Sequence, residues 1–318
     1  MRIVVTGGTG HVGSFLVPRL VLEGHEVTAI SRGARQPYTA AAGCWSLVRR
    51  LEMDRPEAEK TGEWTRRIVD CKPDIVMDLI AYTPQSNRLM WEALRGRVQH
   101  FLHAGTVWVY GPTHYAPADE QAPRCAPDDY GKMKAQIEAF LLEKAHLDGF
   151  PATVIHPGHI VGPGWAPINP LGNLDLEVYG RLARGEKVTL PDRGLATLHH
   201  VHADDVAQAF VRALHNRAVA VGESFNNVSP AALTLLGFAR FVARLFGKEA
   251  NLDFLPWDEW RKTVSEQAAA VSFDHISKCP CASIEKARRL LGYEPRYTSQ
   301  EAVQESILWL VANGKLKI

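Results

Sequence analysis

Tyr130 and Lys134 are the residues whose types and spacing most directly suggest chemistry. Of the eight tyrosines, only Tyr130 has a lysine four residues on. On a helix the two side chains share one face, a turn apart. A phenol ionises near ~10, and an adjacent ammonium favours the phenolate and lowers that value. A tyrosine tuned this way passes a proton to or from an alcohol while hydride moves to or from nicotinamide. Thr106 is the third candidate. It lies in His103-Ala104-Gly105-Thr106-Val107-Trp108-Val109-Tyr110-Gly111, just past the strand-like run Gln99–His103. Ligands of open parallel sheets sit at the carboxyl ends of strands, where a hydroxyl can meet a substrate oxygen. A surface Tyr–Lys pair and a turn threonine would look the same in isolation, so the surrounding elements must decide.

Those elements begin with Thr6-Gly7-Gly8-Thr9-Gly10-His11-Val12-Gly13. The turn follows the apolar run Ile3-Val4-Val5. It precedes an amphipathic stretch, Val12–Glu23, and a second β-like run, Glu26–Ile30. Strand, glycine turn, helix and strand in this order form a dinucleotide-binding unit. Gly7 permits the bend, Gly10 lets a pyrophosphate approach the backbone, and Gly13 lets helix and strand pack closely. Free N–H groups and the helix dipole, with His11 and Val12 at the turn, then hold the phosphates.

Beyond the turn, strand-like and helix-like segments alternate. Ser46–Met53, Asp74–Ile80, Gln99–His103 and Ala152–His156 read as strands, and Glu57–Cys71, Ser86–Arg97 and Tyr130–Leu147 as helices. The alternation predicts an α/β fold, a doubly wound parallel (Rossmann) sheet. Past Pro157 the chain turns rich in proline and glycine. It retains helices over Leu174–Arg184, Ala203–Leu214, Leu233–Phe246 and Ile284–Leu291. Asp204-Asp205 read as the acidic start of their helix. Residues 1–163, with roughly 203–228, are expected to form the dinucleotide domain. Residues 164–202 and 229–318 are expected to form a smaller, helical substrate-binding lobe.

Net charge is +1 over 318 residues, which argues against nucleic-acid or acidic-membrane partners. No apolar run approaches the ~20 residues of a membrane span. Five cysteines without a secretory leader suggest a reduced, cytoplasmic protein. Cys279-Pro280-Cys281 is spaced too tightly for a zinc pair, and His199, His200 and His202 read as structural or substrate-facing, so no metal is expected.

The chain resembles the extended short-chain dehydrogenase/reductases, the group of NAD(P)-dependent epimerases and dehydratases. TGGTGHVG and YGKMK match that family's glycine and YxxxK signatures. GTVWVYG, HPGHIVGPG, HVHADDVAQA and ASIEKARRLLGYEPRY match further segments across essentially the whole chain. The resemblance implies that Thr106, Tyr130 and Lys134 are catalytic, with Lys134 also reaching the nicotinamide ribose. It implies that Leu79-Ile80-Ala81, His156 and Gly158 border the cofactor and that Asp54 meets its adenine. Trp108, Tyr130, His159 and His200 are expected to face the substrate. Trp165, Asn169 and Asn173 are expected to stack on and hydrogen-bond a sugar ring. At the end of the second strand Ser31 and Arg32, with Arg35 as a second contact, suit a 2′-phosphate, so NADP is favoured over NAD. The family arginine that grips a nucleotide-sugar diphosphate is replaced by Leu198, although Arg181, Arg184, Lys187 and Arg193 lie nearby. The resemblance also implies a homodimer through Ser86–Arg97 and Tyr130–Leu147, on apolar residues such as Leu89, Met90, Leu94, Phe140 and Leu141. A sugar or nucleotide-sugar epimerase ranks first among functions. A net NADP-dependent dehydrogenase or reductase of a sugar-like or other small substrate follows, and a regulatory or RNA-binding protein on the same fold comes third.

Overall fold

The computed structural model describes residues 1–37 and 42–318. β1 (Arg2–Thr6) runs into α1 (Gly13–Leu22), and β2 (Glu26–Ser31) is followed by α2 (Ala42–Trp45) and β3 (Arg49–Glu52). Next come α3 (Arg55–Lys60), α4 (Glu63–Asp70), β4 (Ile75–Asp78), α5 (Pro84–Leu94) and β5 (His100–Ala104). The long α6 (Asp129–Asp148) leads to β6 (Ala152–Pro157) and β7 (His159–Val161). α7 (Glu177–Arg184), β8 (Val188–Pro191), β9 (Thr197–Leu198) and β10 (His200–His202) precede α8 (Ala203–His215), α9 (Arg217–Ala220) and β11 (Ser224–Asn227). β12 (Leu233–Thr234), α10 (Leu235–Leu245), β13 (Leu252–Leu255), α11 (Trp257–Trp260), α12 (Glu266–Ile276), α13 (Glu285–Leu291) and α14 (Ser299–Ala312) follow.

The central sheet has seven strands in the order β11-β6-β5-β4-β1-β2-β3, every pairing parallel. Its strands are apolar almost throughout because both faces are covered. Ile3 and Val5 of β1 and Ile75 and Met77 of β4 pack toward α1 and α8. Val4 and Val76 point the other way, toward α4, α5 and α6. The strand order reverses between β4 and β1, which opens a crevice at the carboxyl ends of those strands. A separate core joins β8, α7, α10 and α14. Among the described residues, no helix is long and apolar enough to cross a membrane.

The helix read over 57–71 is two helices. Gly62 takes φ +70 between them, a left-handed conformation that costs glycine nothing. The lobe is not purely helical. It holds three two-stranded pairs, β7–β10, β8–β13 and β9–β12, whose short pieces show no alternation to read. α14 also went unforeseen, although its capping box, Thr298 with Glu301, is written in the sequence. Asp204 and Asp205 do more than begin α8. His202 caps the helix through Nδ1, which accepts from the Asp204 N–H at 3.0 Å. Asp204 pairs with Arg19 at 2.7 Å and Arg296 at 3.0 Å, and Asp205 accepts from the Arg296 and Tyr297 N–H groups. The apolar surplus expected on α5 and α6 is smaller than the sequence suggests. Met90, Leu94 and Leu141 are fully buried in the chain's own core, which leaves Leu89 and Phe140.

Candidate active site

The glycine turn is shaped by close backbone approach. Gly7 has φ +74, and its N–H donates to the Ile30 carbonyl at 2.8 Å. A Cβ on Gly13 would lie 2.2 Å from the Gly8 carbonyl oxygen, and one on Gly7 would lie 2.6 Å from Ile80 Cγ2. α1 then starts at Val12 without a side-chain cap, which leaves N–H groups for an anionic ligand. These features fit a dinucleotide pyrophosphate.

From the turn a cleft of about 890 Å³ runs along the ends of β2, β3 and β4. Gly7, Gly10, Ser31, Arg32, Asp54 and Ile80 border it, as Arg35 and Tyr82 do. Asp54 also caps α3, accepting from the Glu57 N–H at 3.4 Å. Leu79 packs into the sheet core. Beneath the cleft lies a buried polar chain that the sequence did not reveal. Asp78 accepts from the Thr6 hydroxyl and from Arg55 Nη1, both at 2.7 Å. Arg55 Nε donates to Glu59 at 2.6 Å, and Glu59 accepts from the Ser86 hydroxyl at 2.7 Å. Burial raises the Asp78 carboxyl, but the Arg55 charge and bonds outweigh it and hold the group at about 2. Glu52 went unnoticed as well. It pairs in register with Ser31, and a Cβ on Gly33 would sit 2.7 Å from its carboxyl carbon.

The structure brings Thr106, Tyr130 and Lys134 together near Tyr82, which borders the cleft and whose ring centre lies 5.1 Å from Lys134 Nζ. Thr106 leaves β5, and its Oγ1 accepts from the Trp108 N–H at 3.2 Å, with the Tyr130 phenol near enough to feel it. α6 is capped by Asp128, which accepts from the Gly131 N–H at 2.8 Å. That start sets Tyr130 and Lys134 on adjacent turns. Lys134 is buried, and its Nζ donates to the Ala104 and Ala81 carbonyls at 2.6 and 2.8 Å. It lies 5.9 Å from the Tyr130 ring centre and 5.1 Å from that of Tyr82. The expected lowering of the phenol is therefore not seen. Burial, with Tyr82 adding to it, pushes Tyr130 up to about 12. Lys134 aims at carbonyls rather than at the hydroxyl, and burial brings it down to about 7.

Trp108 stands edge-on to Tyr130 at 6.1 Å and donates from Nε1 to His159 Nε2 at 3.2 Å. Behind Trp108, Lys278 Nζ sits 3.9 Å over the indole ring, a contact no motif announced. His159 and His200 are 5.9 Å apart, His200 buried and His159 half-buried. Burial lowers His200 to about 3 and takes His159 well below the ordinary value. Both rings are neutral.

Other expected contacts lie elsewhere. His156 is fully buried behind the Thr106 loop. Its Nδ1 accepts from the Thr106 N–H at 2.9 Å, and its Nε2 lies 3.0 Å from Glu138. It braces that loop and does not face the cleft. Gly158 packs beneath β10, where a Cβ would meet the His199 carbonyl oxygen at 2.4 Å. Asn169 and Asn173 do not face a sugar. They are buried, and they bond one another, the Asp175 carbonyl and Ser272. Trp165 stacks on His11, 4.8 Å between centroids and 13° between planes. Leu198 is fully buried in the lobe core. Arg184 is held by Glu177 and Glu186, Lys187 by Asp253, and Arg181 by the Lys187 carbonyl.

The fold and the cleft define an NAD(P)-dependent epimerase/oxidoreductase class of enzyme. The chain belongs to the NAD dependent epimerase/dehydratase family, which it matches over residues 3–227. It is 26% identical to the UDP-glucose 4-epimerase of Mycolicibacterium smegmatis, covering 96% of this chain and 97% of that protein. It is also 26% identical to the chloroplast stem-loop binding protein of 41 kDa b of Arabidopsis thaliana, covering 96% of this chain and 78% of that protein. The solved structure of UDP-glucose 4-epimerase from Thermotoga maritima with UDP-glucose shares the fold. Its TM-score is 0.74 at 20% identity, over 98% of this chain and 99% of that one.

Proposed function

We propose that this chain is a sugar epimerase that oxidises an alcohol and re-reduces it on the other face, its dinucleotide staying bound. The observation that carries this reading is the meeting of Thr106, Tyr130 and Lys134 at the carboxyl end of β5, with the Lys134 Nζ on the Ala81 and Ala104 carbonyls. The nicotinamide, when bound, supplies the hydride chemistry. Thr106 Oγ1 and the Tyr130 hydroxyl orient the substrate oxygen. With its phenol at about 12, Tyr130 rests protonated, the form that donates to a carbonyl oxygen. The oxidative half needs the phenolate, which a Lys134 ammonium favours. His159 and His200, being neutral, add hydrogen-bonding groups to the substrate side without a charge.

The bound dinucleotide tests this directly. Purified protein, denatured, is expected to release cofactor in stoichiometric amount, and its mass should be that of NADP(H). Arg32 and Arg35 both border the cleft, and a guanidinium can grip a 2′-phosphate bidentately. Release of NAD(H) would give the ribose-binding role to Glu52. An empty protein would point to a net dehydrogenase or reductase that exchanges cofactor each turnover. The stem-loop binding relative raises an RNA-binding alternative. The net charge of +1 and the assembled Thr-Tyr-Lys set favour the enzyme.

The substrate is expected to be a free or simply modified sugar rather than one held by its diphosphate. A buried phosphate needs a cation, and Leu198 offers none, while Arg184 and Lys187 are already paired with carboxylates. Calorimetry of the cofactor-loaded protein should show no micromolar binding of UDP. Micromolar binding would mean that other residues hold a diphosphate.

A further inference from the structure

Trp165 bridges the two parts of the molecule directly over the glycine turn. Its ring stacks on His11 at 4.8 Å, and the Arg35 guanidinium lies 5.7 Å from its centre. Three distant segments therefore converge on one indole: the phosphate-binding turn, the loop after β2, and the loop after β7. The base of the Trp165 loop is fixed. The Gly162 N–H donates to Ser306 Oγ at 2.6 Å, and Ser306 Oγ donates to the Gly162 carbonyl at 2.9 Å. The Trp165 N–H donates to the Gly162 carbonyl at 3.2 Å, and beyond that bond the tip is held by the ring contacts of Trp165, whose side chain is 38% exposed. Gly162 and Gly164 both have positive φ, +135 and +83. These two glycines, with Pro163 between them, shape the turn that carries Trp165 over His11.

We infer that the Trp165 loop is a strap that closes over the dinucleotide pyrophosphate and gates its entry and exit. The inference rests on the cofactor-binding reading of the glycine turn and deepens it. Arg35 and Gly10 border the cleft, and His11 is the next residue after Gly10. A dinucleotide with its phosphates at the start of α1 lies against Gly10 and Arg35, and the indole contacts Arg35 and the residue next to Gly10. The dinucleotide cannot leave toward solvent on that side until the stack parts. The stack is built from neutral partners, since burial holds His11 at about 3, so its strength does not change across ordinary pH. Opening breaks one aromatic stack and one cation–π contact, which together set a rate factor of about tenfold or more.

The test is the rate of dinucleotide exchange, read by reduced-nicotinamide fluorescence when loaded protein is chased with excess oxidised cofactor. Trp165→Ala should release cofactor at least ~10-fold faster and take it up faster as well, so that affinity changes less than either rate. Trp165→Phe keeps a stacking ring and should stay near wild type. Arg35→Ala should fall between, and because Arg35 also faces the 2′-phosphate site, its uptake rate, which loss of that contact would not raise, is the readout should Trp165→Ala fold poorly. Release and uptake rates of Trp165→Ala and Arg35→Ala indistinguishable from wild type would overturn the inference. Faster release with unchanged uptake would overturn it too, since the indole would then be a bound-state contact and not a gate. The ratio of variant to wild-type rates reads the strap even if the wild type exchanges cofactor every turnover, the outcome that would remove the epimerase reading instead.

Discussion

Tyr130→Phe should lower turnover by about 10²–10⁴-fold, the range for loss of a positioned general acid–base group. The change removes one hydroxyl and keeps the ring and its contact with Trp108, so the fold and the cleft should persist. Unaltered dinucleotide binding and thermal unfolding would show that they do. The lost hydroxyl is the titrating group beside Thr106, and no neighbour stands ready to replace it. Tyr110 lies nearby, but its hydroxyl donates to Asn226 at 2.7 Å and it is buried. His159 already accepts from Trp108. The measurement is the rate at which bound cofactor is reduced on mixing with an accepted sugar. Near-normal rates in Tyr130→Phe would remove the Thr-Tyr-Lys assignment and send the search to the Nδ1 side of His159.

Arg55→Met should destabilise the protein by about 3–5 kcal/mol, the cost of leaving a buried charge without its partner. Asp78 is fully buried and Arg55 is 6% exposed, so solvent cannot substitute for the lost guanidinium. Domains are stable by only about 5–15 kcal/mol, which puts this variant near the edge of folding. Denaturant unfolding at neutral pH measures the loss. Adding Asp78→Asn should restore much of it, because the orphaned charge goes too. The pH dependence has a definite sign. Asp78 is held at about 2 when folded, against about 3.9 for an unfolded aspartate. Its stabilising contribution is therefore complete above pH ~4 and lost as pH falls toward ~2. The deficit of Arg55→Met should shrink over that interval. A variant as stable as wild type at neutral pH would mean that the pair is not the anchor its geometry describes.

What could be read in advance was local. Gly7, Gly10 and Gly13 declare the turn because their spacing is itself the geometry, and Tyr130 and Lys134 do so because one helical turn separates them. The doubly wound sheet followed from apolar runs that must be covered on both faces. What escaped reading joins residues far apart in the chain. Arg55 finds Asp78 across the sheet, Trp165 finds His11 across the cleft, and His156 finds Glu138 behind the Thr106 loop. Asn169 and Asn173 were misplaced for a related reason. Polar residues in a proline-rich stretch look solvent-facing, yet here they satisfy each other inside it. The direction of Lys134 escaped as well. Spacing brings it beside Tyr130, but only the carbonyls of Ala81 and Ala104 explain where its ammonium points.

The sheet order has a consequence for how the protein is made. β11 closes one edge of the sheet against β6, and α8 covers the face over α1 through Val206 and Phe210. Both are synthesised only after the first lobe segment has left the ribosome. Until Asn227 emerges, the nascent sheet has an unpaired β6 edge and an uncovered apolar face, each a template for association with other chains. The cofactor-binding half is therefore continuous in space but interrupted in time, and its folding waits on contacts of high sequence separation, which form slowly. The smallest piece of this chain that can complete its sheet reaches Asn227, the residue at which the family match also stops.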